Sequence, residues 1–250
     1  MRTMVSVVLA AGIASSASGE ELKMYAAAGV KSSLVRMAAD YEKATGHRIL
    51  AVFDTAGATG KRFDADPQAT FLITSQALIS EGQKNGTLRD GVSYRLGDTV
   101  AGFAAPPGAP KPDISTPATL KAALLSARRI AFSDPARGAT AGTHFMKVIE
   151  ALGIKDEVLK KATLAQDGVE TMRLVLEKKV DLGVTQIAEI VQADRAALVG
   201  PFPGAFDLAT TYSLWHRKDL SPAAKGFVDL IMSPAGRARL AEDGVRLPVQ

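Results

Sequence analysis

Three short stretches of this 250-residue chain combine small side chains, hydroxyls and a helix pattern that follows: Ala26-Ala-Ala-Gly-Val30, Asp54-Thr-Ala-Gly-Ala-Thr59 and Asp134-Pro-Ala-Arg-Gly-Ala-Thr-Ala-Gly-Thr143. Small residues let an anion approach the main chain. The first turn of a helix presents unspent N–H groups at the positive end of its dipole. Gly29, Val30, Ala56, Gly57, Ala58, Ala141 and Gly142 are therefore candidate backbone donors, with Thr55, Thr59, Thr140 and Thr143 as candidate hydroxyl donors. Any one of these loops, taken alone, reads as ordinary capping and turn chemistry. Three together, each leaving a strand, point to an anion site.

Those loops need strands and helices to hold them, and the hydrophobic pattern supplies both. Apolar spacing predicts strands over 21–27, 48–53, 70–74, 99–105, 129–132, 181–185 and 210–215. Helices are expected over 30–45, from Lys61, and over 76–85, 140–152, 168–178, 187–193, 222–232 and 234–243. A further helix opens at Thr116-Pro117, with Gly46, Gly86 and Gly153 as stops. Strand–loop–helix repetition implies an α/β fold of mostly parallel sheet flanked by helices, with ligands at the carboxyl ends of the strands. The strand at 99–105 follows the one at 70–74 only after a long interval, and is where a crossover into a second lobe is expected.

Composition removes whole classes of function. Apolar residues make up 47% of the chain, which excludes disorder, and there is no cysteine for a disulfide, thiolate metal site or iron–sulfur cluster. Three histidines are too few for a multi-histidine metal centre, so neither a metal nor a cofactor is expected. The formal charge is +4, dispersed and with only 6% aromatics, which argues against nucleic acid and for a weak attraction to small anions. The phosphate loop, the dinucleotide fingerprint, the G-x-S-x-G elbow and H-E-x-x-H do not occur. At the start, Met1-Arg2, an apolar stretch over 5–13 and Ala17-Ser-Gly19 have the three-part form of a secretory leader. Residues 1–19 are accordingly expected to be a signal peptide cut near Gly19, giving a periplasmic protein.

The order A-A-A-G-V-K-S-S-L-x-x-x-A-x-x-Y-x-x-x-T-G, then A-V-F-D-T-A-G-A-T and F-L-I-T-S, resembles the opening of the molybdate-binding type of periplasmic solute-binding protein. F-S-D-P-A-R-G-A-T-A-G-T-H-F, D-G-V-E-T-M-R-L-V, V-D-L-G-V-T-Q and S-P-A-G-R-A-R-L follow in that family's order. The resemblance spans nearly the whole chain beyond the leader. It implies a two-lobed periplasmic-binding-protein fold of type II, with 20–100 plus 208–250 as one lobe and 101–207 as the other. It also implies an anion in the cleft, and an ABC importer as partner of a monomeric receptor. Gly168 and Val169 join the expected ligand-binding backbone on the same ground.

Several residues depart from the family's pattern. Gly29 stands where those receptors carry a serine, the loop after 54 has threonines and alanines for serines, and Gln186 stands where a tyrosine hydroxyl is expected. With hydroxyl donors lost and amides kept, the expected ligand is an organic carboxylate rather than molybdate. Lys31, Arg62, Arg137, His144 and Gln186 are the polar side chains near enough in sequence to serve a larger ligand. Their plainer readings are surface charge, helix cap and helix face. An alternative also follows from the resemblance. Aconitate isomerase is similar in fold to these receptors and moves an allylic proton between cis- and trans-aconitate; on that reading His144 is the proton carrier, with the three cations as carboxylate partners.

Overall fold

The computed structural model describes residues 19–248; the expected leader lies, apart from Gly19, outside the described residues. The chain opens with three strand–helix units: β1 (Glu21–Ala27) and α1 (Lys31–Thr45), β2 (Arg48–Asp54) and α2 (Ala56–Ala65), β3 (Ala69–Ser75) and α3 (Gln76–Asn85). The long strand β4 (Gly91–Ala104) follows. Next come α4 (Pro117–Ser126), β5 (Ile130–Ser133), α5 (Thr140–Ala151), α6 (Lys155–Leu159), β6 (Ala162–Ala165), α7 (Gly168–Leu176), β7 (Leu182–Gln186), α8 (Ile187–Asp194) and β8 (Leu198–Pro201). The chain closes with β9 (Ala209–Arg217), α9 (Pro222–Met232) and α10 (Pro234–Glu242).

The strands lie in the order β2-β1-β3-β9-β4-β7-β5-β6, with β8 paired to the last residues of β4, opposite β7. β1 runs parallel to β2 and β3, and β5 runs parallel to β6 and β7. β4 and β9 are antiparallel to every partner. The fold is thus α/β with a mixed sheet, and the two parallel sets are joined through β4. From Gly91 to Val100 that strand pairs with β9; from Ala101 to Ala104 it pairs with β7. Its burial follows suit: partly exposed where it starts, fully buried over its last six residues.

Each half packs its own core. Phe71, Phe227, Leu214 and Met24 lie together in one, where the rings of Phe71 and Phe227 are 5.6 Å apart. Phe103, Phe132 and Phe145 anchor the other, with Phe132 and Phe145 edge-on at 5.0 Å. Buried aromatic pairs of this kind hold the helices onto the sheet.

Three expectations need correction. α2 begins at Ala56 and not at Lys61, because Thr55 Oγ1 accepts from the Ala58 amide at 3.2 Å and caps the helix there. β4 starts at Gly91 and not at 99, because its polar first half is an ordinary half-exposed strand beside β9. β6 and β8 were not expected at all: each has four residues, at the margin of the sheet, too short to show a period.

Gly142, the third residue of α5, shows how tightly that helix is seated. A Cβ on Gly142 would lie 1.7 Å from the Ser133 carbonyl oxygen, inside the strand backbone. Gly142→Ala is therefore expected to destabilise the protein by about 1–3 kcal/mol despite alanine's better helix propensity. Differential scanning calorimetry should show a loss on the order of 5 °C in Tm.

Candidate anion-binding site

The carboxyl ends of the parallel strands meet at one small cavity. Ala28 follows β1; Asp54 ends β2, with Thr55 and Ala56 next to it; these line one wall. Opposite them stand Ser133 at the end of β5, Ala139, Thr140 and Ala141 at the start of α5, and Gly168 at the start of α7. Thr185 and Gln186 of β7, Glu189 of α8 and Tyr212 of β9 complete the lining. The space open to the centre of a water molecule is only about 20 Å³, room for a water or two.

The closure has visible fastenings. The Gly57 amide donates to the Gly138 carbonyl across the cleft at 3.2 Å, and a Cβ on either glycine would meet the other's Cα within 2.8 Å. The Thr55 hydroxyl donates to the Arg137 carbonyl. Beside them Asp54, 5% exposed, accepts from Arg137 Nη2 at 2.9 and 3.0 Å and from Arg62 Nη2 at 3.1 Å. Burial pushes the Asp54 carboxyl up, but the Thr55 amide and the two guanidiniums outweigh it and hold it below the usual carboxylate range. Farther along, Gln192 Nε2 donates to the Gly29 carbonyl at 2.8 Å while its Oε1 accepts from the Ser32 amide at 2.9 Å.

Helix starts define the polar character of the lining. The first turns of α2, α5 and α7 all open on the cavity. α5 has no side-chain cap, and its early residues Ala141 and Gly142 are buried. Amides at a buried, uncapped helix start need an acceptor from elsewhere. Hydroxyls surround them: Thr140 Oγ1 accepts from Gln186 Nε2 at 2.8 Å, which leaves its own proton free to donate. Gln186 is otherwise spent, accepting from the Thr99 hydroxyl at 2.8 Å and donating to Thr210 at 3.3 Å.

Glu189 is the unusual member. Its Oε2 accepts from the Thr185 hydroxyl and, at 3.2 Å, from the Gln186 amide. No Lys or Arg among the described residues forms an ion pair with it. Only a glycine fits beside it, since a Cβ on Gly168 would fall 1.9 Å from Oε2. Burial pushes its carboxyl up to about 7, against the pull of the Thr185 and Gln186 hydrogen bonds and with a push from nearby Asp167. Burial also raises the Tyr212 phenol, with Glu189 adding to the shift, so that this hydroxyl stays neutral.

Among the residues expected from the sequence, Thr55, Ala56, Thr140, Ala141, Gly168 and Gln186 line the cavity. Gly29, Val30 and Gly142 lie buried behind it. The Gly57 and Ala58 amides are occupied, by Gly138 and by the Thr55 cap. Lys31 and Val169 line an outer groove that meets the cavity at Ala28 and Glu189, with Lys31 Nζ 5.8 Å from the Phe53 ring centre. Arg62 and Arg137 turn to Asp54. Thr143 and His144 stand in a groove on the other side, which shares Thr140 with the cavity. His144 Nε2 is 2.7 Å from the Phe206 carbonyl, and its ring sits edge-on to Phe202; it does not line the cavity.

Sequence reasoning missed Asp54, Ser133, Thr185, Glu189 and Tyr212. Glu189 carried a faint signal, the spacing of a capping pair with Gln186 three residues before it. Tyr212 explains Gly29: a Cβ there would lie 3.1 Å from the phenol ring, so the tyrosine fills the space in which a serine side chain would stand. The expected loss of hydroxyls is therefore partly made good from β5, β7 and β9.

The strand order and a cleft at the carboxyl ends define a two-lobed solute-binding protein. Residues 22–246 match the family of bacterial extracellular solute-binding proteins, and the chain belongs to that family. Aconitate isomerase of Pseudomonas sp. is 23% identical over 239 residues, covering 92% of this chain and 89% of that protein. Among solved structures, the periplasmic molybdate-binding protein of Azotobacter vinelandii has a TM-score of 0.74 at 18% identity, covering 91% of this chain and all (100%) of that one. A phosphate-bound substrate-binding protein from Clostridium perfringens has a TM-score of 0.70 at 13% identity, covering 92% of this chain and 100% of that one.

The Glu189 carboxyl makes stability depend on pH with a definite sign. Between its ordinary 4.5 and about 7 the folded protein keeps a proton that the unfolded chain releases. Its contribution is thus fully present below pH 4.5 and declines as pH rises toward 7. In paired thermal melts, Glu189→Gln should gain Tm relative to the parent protein as pH is raised across that window. Parallel curves would show that the carboxyl titrates normally.

Proposed function

We propose that the protein binds a small organic carboxylate in this cavity, as a monomeric periplasmic receptor that hands its ligand to an ABC importer. The lobes are 20–100 plus 208–250 and 101–207, and residues 1–19 are a leader removed near Gly19. The observation that carries the reading is the buried, uncapped start of α5, facing the cavity together with the starts of α2 and α7. Oriented amides in a water-poor site favour a negative group. A carboxylate suits the wall better than a compact oxyanion does. Asp54 already lies in the grip of Arg62 and Arg137, so a ligand carboxylate can compete for Arg137 when the halves part. Spread carboxylates can each find their own donors, one at the start of α5 and one at Arg137, whereas a tetrahedral dianion places both charges at one point of a lining that holds no cation.

Thermal-shift and calorimetric titration with di- and tricarboxylates test this directly. Propane-1,2,3-tricarboxylate is expected to raise Tm and molybdate to leave it unchanged. Thr140→Val should weaken carboxylate binding about ten- to hundredfold, the cost of one hydrogen bond to a charged ligand. Molybdate binding without carboxylate binding would reject the ligand class.

A second reading, an isomerase of the aconitate type, is favoured by Glu189. A cavity carboxyl poised near 7 can accept a proton from one allylic carbon and return it to the other, while the amides and Tyr212 stabilise the delocalised charge. The isomerase relative supports it. Purified protein incubated with cis-aconitate should then yield trans-aconitate by chromatography. Glu189→Gln should lower that rate by at least about 100-fold, and no conversion above the buffer rate would leave the receptor reading alone.

A further inference from the structure

We propose that the cavity takes its anion together with a proton, and that Glu189 is the group that carries it. This rests on the anion-binding reading above and adds the determinant of its affinity. Both protein hydrogen bonds to the carboxyl go to Oε2, from Thr185 and Gln186, and Oε1 has no hydrogen-bond partner among the described residues. A proton on Oε1 turns the one acidic cavity residue without a cationic partner into a donor.

The charged surroundings are set against an ionised Glu189 beside a bound anion. From α7, Asp167 at its start adds to the negative potential, while Arg173 is held by Glu170 and Glu177 at 3.3 and 2.9 Å. Across the cavity Asp54 is committed to Arg62 and Arg137, and Tyr212 is neutral. Lys31 and Arg36 of α1 lie along the outer groove, with Arg36 on Asp243 at 3.2 Å. Arg95 and Asp98 of β4 pair with each other at 2.7 Å, Arg195, just after α8, reaches the Glu242 carbonyl at 3.4 Å, and Asp194, the last residue of α8, accepts from the Ala196 amide. An anion therefore meets either a carboxylate that repels it or a carboxylic acid that donates to it. The second state is already near its midpoint at neutral pH, because burial raises this carboxyl to about 7. By linkage, a ligand that prefers the protonated site draws a proton in as it binds.

The probe is propane-1,2,3-tricarboxylate, which has no double bond to isomerise and whose last carboxyl, raised to about 6 by its own neighbours, is ionised from about pH 7 upward. Calorimetry from about pH 7 to pH 9, in pairs of buffers with different ionisation enthalpies, reads both Kd and proton uptake. The expected result is a Kd rising by up to about tenfold per pH unit above the Glu189 midpoint, with close to one proton taken up per ligand near pH 8. Glu189→Gln, a neutral donor of the same shape, should bind with a flat pH profile and no proton uptake. Thr185→Val, which removes a hydrogen bond to the ionised form, should move the midpoint upward. A flat Kd with no proton uptake in the unaltered protein overturns the proposal and leaves the anion site standing. Failure of this probe, of dicarboxylates and of molybdate to bind at any pH overturns both.

Discussion

The cavity exists because two backbones touch. Gly57 and Gly138 meet with no room for a side chain on either, and the hydrogen bond between them sets the start of α2 against the loop that leads into α5. Arg137 belongs to that loop, and its reach to Asp54 reinforces the same junction with charge. Everything chemical at the site follows from this approach. Without it the helix starts of the two halves would face water, where amides find partners at no cost and a buried glutamate would titrate normally. Closure and electrostatics are the same event here, since expelling water is what strengthens the donors and raises the acid.

That coupling creates an opposition within the cavity. Helix starts attract negative charge, while desolvation penalises any charge that arrives without full hydrogen bonding. Glu189 sits where the two tendencies meet, at the start of its own helix and against that of α7, partly covered and without a cation. Asp54 resolves the same opposition the other way, being buried but matched by two guanidiniums and an amide. The two acids of one cavity thus differ in protonation by environment alone. One fastens the halves as a fixed charge, and the other is free to gain or lose a proton near neutral pH.

The architecture was legible in the sequence because strands and helices of this fold carry periodic apolar patterns, and because small-residue loops follow β1, β2 and β5. Ala56, Thr140 and Ala141 were reachable by that route, being first-turn residues after recognisable strands. Arg137 was visible as a cation but not as a partner of Asp54, since an ion pair across 83 positions leaves no local trace. Tyr212 was hidden for a like reason. It comes from a strand inserted between β3 and β4, and fills the space beside Gly29, where the missing serine was plain in the chain. His144 shows the converse: a helix-start histidine is easy to nominate from spacing, yet one turn of helix carries it to the groove on the opposite side and to the Phe206 carbonyl.

The scaffold accounts for how little a shared fold says about ligand. Its strands and cores are fixed by packing that any hydrophobic sequence of the right period can supply, which is why similarity of backbone persists at 18% identity. The lining, by contrast, comes from the first residue or two beyond each strand, and a change there alters the chemistry without disturbing the core. Gly29 with Tyr212, and Gly168 with Glu189, illustrate the rule. In each pair a glycine from one element makes room for a functional side chain from another, so the substitution that empties one position is what admits the group at the next. A receptor and a proton-transfer catalyst can therefore share every strand and differ by one enclosed carboxyl.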